Sequence, residues 1–318
     1  MSIKIRNEWW GAEEDGLAYS TDFGKAYQAD ISKFLESDEG QKLKGKVDLV
    51  LTSPPFPLLA PKEYGNTEGD EYRKWITSLA KPLSELLSPT GSIVMEIGNV
   101  WTKGEPSMST LPLETLIDFA KCGEMSICQQ FICHNPARLP SPAQWVTKQR
   151  IRLKDSYTHV WWYSKTPYPK ADNRKILTPY SKAMEKLLAT GKYNPGRRPS
   201  EHTVGETSFL KDNGGAIAAS MFSLGNTASA KNYRDWCQYQ GITAHPARMQ
   251  ASLVEIFINY LTEPGDLVFD PFGGSNTTGF IAEKNKRNWI ITEMESKYLL
   301  GSIGRFDPQD VKIEWKNR

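Results

Sequence analysis

Two kinds of stretch alternate along this chain: short, nearly unbroken apolar runs, and longer segments with an apolar side chain every three or four positions. Val47–Thr52 (VDLVLT) is a run of the first kind. It stops at Ser-Pro-Pro, the pattern of a strand buried on both faces and ending at its carboxyl edge. Ile93–Ile97 (IVMEI) reads as a second strand after the turn Pro89-Thr90-Gly91. Between them, Asp70–Leu87 carries Tyr72, Trp75, Leu79, Leu83 and Leu86 at helical spacing, and Leu111–Cys122 reads as another helix. Ala26–Asp30 is a short strand before the helix Ile31–Leu35, and His159–Tyr163 (HVWWY) a further strand. Near the C-terminus the pattern predicts a helix Gln250–Leu261 stopped by Glu263-Pro264-Gly265, then a strand Leu267–Asp270. A glycine-containing loop, a helix near Asn276–Lys284 and a strand Trp289–Thr292 follow. From Thr166 to Thr243 periodicity is poor and Gly, Pro, Ser and Asn are frequent, which predicts an irregular insert or a small subdomain. The alternation as a whole is that of an α/β protein.

The 318 residues suffice for one large domain or two modest ones, and 39% hydrophobic with 24% charged residues excludes disorder as a global description. The net charge of +2 conceals segregation. Between Arg138 and Arg198 fourteen Lys/Arg face three Asp/Glu, the distribution expected when one face meets a polyanion. Cys122, Cys128, Cys133 and Cys237 lack CxxC spacing and read as reduced thiols. The opening MSIKIRNEWW lacks the apolar stretch of a secretory leader, and no run reaches membrane-spanning length, so an intracellular protein is expected.

Candidate chemistry sits at strand ends. Asp270-Pro271-Phe272-Gly273-Gly274-Ser275-Asn276-Thr277-Thr278-Gly279 joins a predicted strand to a predicted helix, and Glu293 closes the next strand. Glycines let backbone approach a ligand, and a carboxylate ending the second strand accepts both hydrogen bonds of a ribose diol. No Gly-Lys-Ser/Thr follows, which excludes a P-loop; a plain tight turn is the alternative for the loop alone. Asp30 is suited either to receive an adenine amino group or to cap the helix after it. In Ser53-Pro54-Pro55-Phe56 the prolines remove two N–H donors, leaving carbonyl acceptors, a hydroxyl and an aromatic face. That shelf suits a planar ring bearing an amino group, with a Pro-Pro strand terminator as the plain alternative.

Together these motifs resemble the S-adenosylmethionine-dependent DNA amino-methyltransferases of the permuted β group, over nearly the whole chain. In that family the target-base motif precedes the cofactor loop, with a target-recognition region between them. Tyr64-Gly65-Asn66, Leu139-Pro140-Ser141-Pro142, Lys154-Asp155, Trp161-Trp162-Tyr163-Ser164-Lys165, Lys211-Asp212-Asn213-Gly214-Gly215 and His245-Pro246-Ala247-Arg248 resemble the PvuII type of cytosine-N4 methyltransferase. The resemblance implies a Rossmann-like SAM-dependent methyltransferase sheet, circularly permuted, with an inserted target-recognition region. Residues 1–165 would form the catalytic half, 166–243 the target-recognition region, and 244–318 the cofactor-binding half of the same catalytic domain. It implies Ser53, Pro54, Pro55 and Phe56 as the catalytic turn, Ser53 and Pro54 holding the amino group and Phe56 stacking on a flipped base. Asp30, Asp270, Phe272, Gly273, Gly274, Ser275, Asn276, Thr277 and Glu293 would bind S-adenosyl-L-methionine, and no metal is implied. For His245 packing is as suitable a role as contact.

Arg150, Arg152, Lys154, Arg197 and Arg198 are the candidates for contact with double-stranded DNA. A cytoplasmic, DNA-associated prokaryotic enzyme of a restriction-modification system is expected, with a restriction endonuclease acting on the same site as an open partner and no membrane. Adenine N6 in DNA, or an RNA base, stays open as the acceptor, and a catalytically dead DNA-binding regulator on the same fold is the alternative from another class. A cytosine-C5 enzyme needs a Pro-Cys nucleophile and a zinc deaminase an HxE…PCxxC set; both are absent. A nicotinamide oxidoreductase has no use for Ser-Pro-Pro-Phe.

Overall fold

The near-continuous apolar run Val47–Thr52 is a strand buried on both faces: Leu49 and Leu51 enter one hydrophobic cluster, Val47 and Val50 the other. In the computed structural model, residues 16–56, 69–192, 196–205, 209–225 and 231–314 are described. The Tyr64-Gly65-Asn66 motif lies outside them. In chain order the strands are β1 (Gly16–Ser20), β2 (Gly24–Gln28), β3 (Val47–Thr52), β4 (Leu87–Gly98), β5 (Ser126–His134) and β6 (Tyr157–Ser164). Then come β7 (Gly196–Arg197), β8 (Thr203–Val204), β9 (Met221–Ser223), β10 (Leu267–Asp270), β11 (Asn288–Glu293) and β12 (Lys312–Ile313). Helices are α1 (Ile31–Glu36), α2 (Asp38–Gln41), α3 (Gly69–Ser78), α4 (Ala80–Leu86), α5 (Leu111–Cys122), α6 (Lys182–Thr190), α7 (Lys231–Gln240), α8 (Ala251–Leu261), α9 (Thr277–Lys284) and α10 (Ser296–Ile303). Among the described residues none is long and apolar enough to cross a membrane.

All strands but β7 and β8 form one sheet, ordered β12-β1-β2-β11-β10-β3-β4-β6-β5-β9. From β2 to β4 neighbours run parallel, while β6 is antiparallel to both β4 and β5. The strand carrying the glycine loop, β10, is thus central in space although late in the chain, the permuted Rossmann-like order. Side chains of α1, α3, α4 and α5 pack in one cluster (Phe34, Tyr72, Leu83, Phe119), those of α7 to α10 in the other (Tyr233, Phe257, Ile281, Leu299). The sheet is the middle layer of three.

Several elements depart from the periodicity. The single helix expected over Asp70–Leu87 is two, α3 and α4, parted at Leu79. Pro82 has no N–H for the Ser78 carbonyl, so an uninterrupted ladder is impossible there. The expected turn Pro89-Thr90-Gly91 lies inside β4 as a bulge: Leu87 pairs with Val47 and Ser92 with Leu49. β5 carries no apolar alternation that would predict it, because Gln129 and Gln130 are exposed and its apolar period is broken. Two helices, α6 and α7, lie inside the stretch read as irregular.

The chain divides into two compact units, Asp172–Ala219 and everything else. The smaller one holds α6, capped by the Ser181 hydroxyl and by Gly191 in a left-handed turn, and the β7–β8 hairpin. Thr178 and Ala216 bridge its two ends. Residues from Ser220 onward belong to the larger unit.

Candidate active site

Parallel strands present their carboxyl ends on one edge, and the connections diverge between β10 and β3, where open α/β sheets leave a crevice. A cavity of about 750 Å³ lies at this place in the larger unit. Ser53, Pro54, Pro55 and Phe56 line one part of it. Phe272, Gly273, Gly274, Ser275, Thr277 and Glu293 line another, with Asp30 and Asp270. Asn276 is not in the wall: fully buried with φ 52°, it caps α9 through Oδ1, which accepts from the Gly279 N–H at 2.8 Å.

Asp270 ties the two motifs together. Its Oδ1 accepts from Thr52 Oγ1 at 2.8 Å and from the Phe272 N–H at 3.0 Å, and its Oδ2 from Thr278 Oγ1 at 2.6 Å. Burial pushes its carboxyl above the ordinary range, and these bonds oppose that shift. Gly273 abuts Ile291, where a Cβ would come within 2.7 Å of Cδ1, and Gly274 has φ +50°. The Gly274 N–H donates to Glu293 Oε2 at 2.8 Å, and the Glu295 N–H to Oε1 at 2.9 Å. Burial raises the Glu293 carboxyl to about 7. Asp30 uses one oxygen, Oδ1, to cap α1 at the Ser32 and Lys33 N–H groups while also lining the cavity. His245 packs edge-on against Tyr298, with ring centroids 4.3 Å apart, and bounds the glycine loop.

The Ser-Pro-Pro-Phe turn rests on a residue that periodicity concealed. Glu96, in the apolar strand β4, is 8% exposed and reaches the cavity. It accepts hydrogen bonds from Thr158 Oγ1 at 2.7 Å and from the Ser53 hydroxyl, while burial raises its carboxyl above the ordinary range. A lone acid within IVMEI was the available signal, since a buried carboxylate needs partners. Gly98 makes room for Phe56: a Cβ there would sit 2.7 Å from the ring.

The residues present suit a nucleoside-bearing cofactor. The glycine loop brings bare backbone to the cavity, and Glu293 supplies acceptors at a strand end. The Tyr72 hydroxyl, buried on the cavity wall, has no hydrogen-bond partner among the described residues. Trp75, also on the wall, sets its ring edgewise to Phe272 at 5.6 Å. Neither Tyr72 nor Trp75 stood out in sequence beyond its helical period.

The basic candidates lie elsewhere. Arg152 Nε donates to the Pro106 carbonyl at 2.9 Å, and Lys154 Nζ to the Pro136 and Arg138 carbonyls. Arg150 is exposed with φ 56°. Arg197, paired with Glu201 at 3.3 Å, and Arg198 belong to the smaller unit.

A family model described as DNA methylase matches residues 47–303. The type II methyltransferase M.PvuII of Proteus hauseri is 44% identical over 299 residues, spanning 93% of this chain and 88% of the relative. The solved PvuII DNA methyltransferase (cytosine-N4-specific) superposes with a TM-score of 0.73 at 36% identity, covering 95% of this chain and 93% of its own. A second structure, the M1.HpyAVI–SAM complex, shares the fold at 21% identity and a TM-score of 0.53, over 89% of this chain and 98% of that one.

Proposed function

This chain belongs to the DNA methylase family, and from that premise we propose that it is a site-specific DNA methyltransferase acting on the exocyclic N4 of a cytosine flipped out of duplex DNA. The cofactor of this reading is S-adenosyl-L-methionine, which when bound supplies a methyl group made electrophilic by its cationic sulfur. The observation that carries the proposal is the Thr52–Asp270 bond, which brings an amino-binding turn beside a nucleoside-binding loop.

Each side chain has a part. Ser53 donates its hydroxyl hydrogen to Glu96, so its oxygen is left to accept. One amino hydrogen of the base goes to Ser53 Oγ and the other to the Pro54 carbonyl, drawing the nitrogen lone pair out of ring conjugation. Phe56 stacks on the base, and Pro55 keeps the turn rigid. Once methylated the nitrogen is acidic: its proton passes to Ser53 as the Ser53 hydrogen passes to Glu96. The raised affinity of Glu96 for a proton suits it to this end of the relay. Glu293 takes the ribose hydroxyls with its remaining lone pairs, and Phe272, Gly273, Gly274, Ser275 and Thr277 face the methionine and ribose portion. Asp30 serves the adenine side as well as its cap. Arg150, Arg152, Lys154, Arg197 and Arg198 are assigned to DNA phosphates. A restriction-modification setting, with an endonuclease of the same specificity, agrees with the type II relative.

The test is methyl transfer to plasmid DNA with mass analysis of the product nucleosides. N4-methylcytosine is expected; N6-methyladenine, or no transfer, overturns the assignment. Ser53→Ala should lower single-turnover rate by roughly 10²–10³ with cofactor affinity unchanged. An unimpaired rate removes Ser53 from the mechanism.

A further inference from the structure

Strands β5 and β6 are antiparallel neighbours, yet residues 135–156 connect them by a long excursion rather than a tight hairpin. Both ends of the excursion stand at the cavity, whose wall includes Asn135, Arg138 and Thr158. The base is firmly built. The Asn135 N–H donates to the Ser156 carbonyl at 2.7 Å, and the Asp155 N–H to the Ser141 carbonyl at 3.0 Å. Asp155, itself buried, accepts from Asn99 Nδ2 at 2.8 Å, and Asn99 bonds the buried His159 at 2.9 Å. Lys154 Nζ draws the returning limb onto the outgoing one through the Pro136 and Arg138 carbonyls.

On this anchored loop stands Leu153, 90% exposed, the most exposed large hydrophobic side chain among the described residues; Leu139 is 80% exposed. A rigid loop gains nothing in water by holding two leucines outward. Exposed Arg150 and Arg152 lie just before Leu153, and Lys154 follows it. Cations on phosphates with an apolar tip between bases is the composition of a side chain that wedges into a stack.

Resting on the methyltransferase reading above, we propose that Leu153 enters the duplex and fills the space vacated by the extruded cytosine, with Leu139 packing beside it and Arg150 and Arg152 on the flanking phosphates. Leu153 is then a positioning residue: it touches neither cofactor nor the reacting nitrogen, and acts by keeping the target from returning to the stack.

The experiment uses the full chain and synthetic duplexes bearing the methylation site, mapped beforehand by sequencing DNA that the wild-type enzyme has modified. One duplex is fully paired; in the other the guanine opposite the target is replaced by an abasic residue, which removes the pairing to be broken. Leu153→Ala should methylate the paired duplex about tenfold more slowly than wild type and the abasic duplex within twofold of it, and Leu153→Met should restore the paired rate. Equal loss on both duplexes, or no loss on either, overturns the proposal. So does sedimentation showing a dimer that Leu153→Ala dissociates, because the leucine then covers a second copy of the chain. Failure of the wild type to methylate any DNA sinks the enzymatic reading instead, and the two failures are distinct.

Discussion

Replacing Thr52 by Val tests the tie between the two halves of the site. Thr52 is 0% and Asp270 3% exposed, so water cannot take over the lost bond. Burial raises the Asp270 carboxyl above its ordinary range, and three donors oppose that shift: Thr52 Oγ1, Thr278 Oγ1 and the Phe272 N–H. Val fills the same space with a methyl group where the carboxylate had a hydroxyl. Leaving a buried polar group without its hydrogen-bond partner costs about 2 kcal/mol. For a chain of this size that corresponds to a fall of about 3 °C in melting temperature. Cofactor affinity should fall along with stability, because the loop after β10 loses one of its fixed supports, whereas Thr52→Ser keeps the hydroxyl and should resemble wild type. Urea denaturation of Thr52→Val, Asp270→Asn and the double variant gives the coupling between the two positions. A loss under about 0.5 kcal/mol for Thr52→Val, or strictly additive single changes, refutes the idea that this bond joins the motifs.

Two other perturbations address the separate halves. Gly98→Ala puts a Cβ 2.7 Å from Phe56 Cε2, so the ring must shift; single-turnover methyl transfer should slow by roughly ten- to a hundredfold while calorimetric cofactor affinity stays within about twofold, and an unchanged rate would show that the ring position is irrelevant. Because burial raises the Glu293 carboxyl to about 7, and ribose hydroxyls donate best to its ionised form, cofactor binding should release protons below that pH. Affinity should rise about tenfold from pH 6 to pH 8 and level off above, whereas Glu293→Gln should flatten the profile; a flat wild-type titration contradicts the role given to Glu293.

The chain's own pattern determined what is local. Val47–Thr52, Leu111–Cys122 and Leu267–Asp270 appear as strand, helix and strand with the boundaries that their apolar periods imply, because burial on two faces or on one leaves a repeat that can be read without knowing the partner. Ser-Pro-Pro-Phe and the glycine loop were legible for a similar reason: proline and glycine restrict or release the backbone wherever they stand. Tertiary structure decided what depends on meeting a distant segment. Glu96 became a partner of Ser53 only when β3 and β4 paired and β6 added Thr158. Gly98 acquired its purpose from Phe56, and the Tyr72 hydroxyl on the cavity wall has no hydrogen-bond partner among the described residues. Asp270 and Thr52, 218 positions apart, bond because β10 lies beside β3 in the sheet. Strand order depends on which edges meet through the folded chain, and no window of neighbouring residues contains that information.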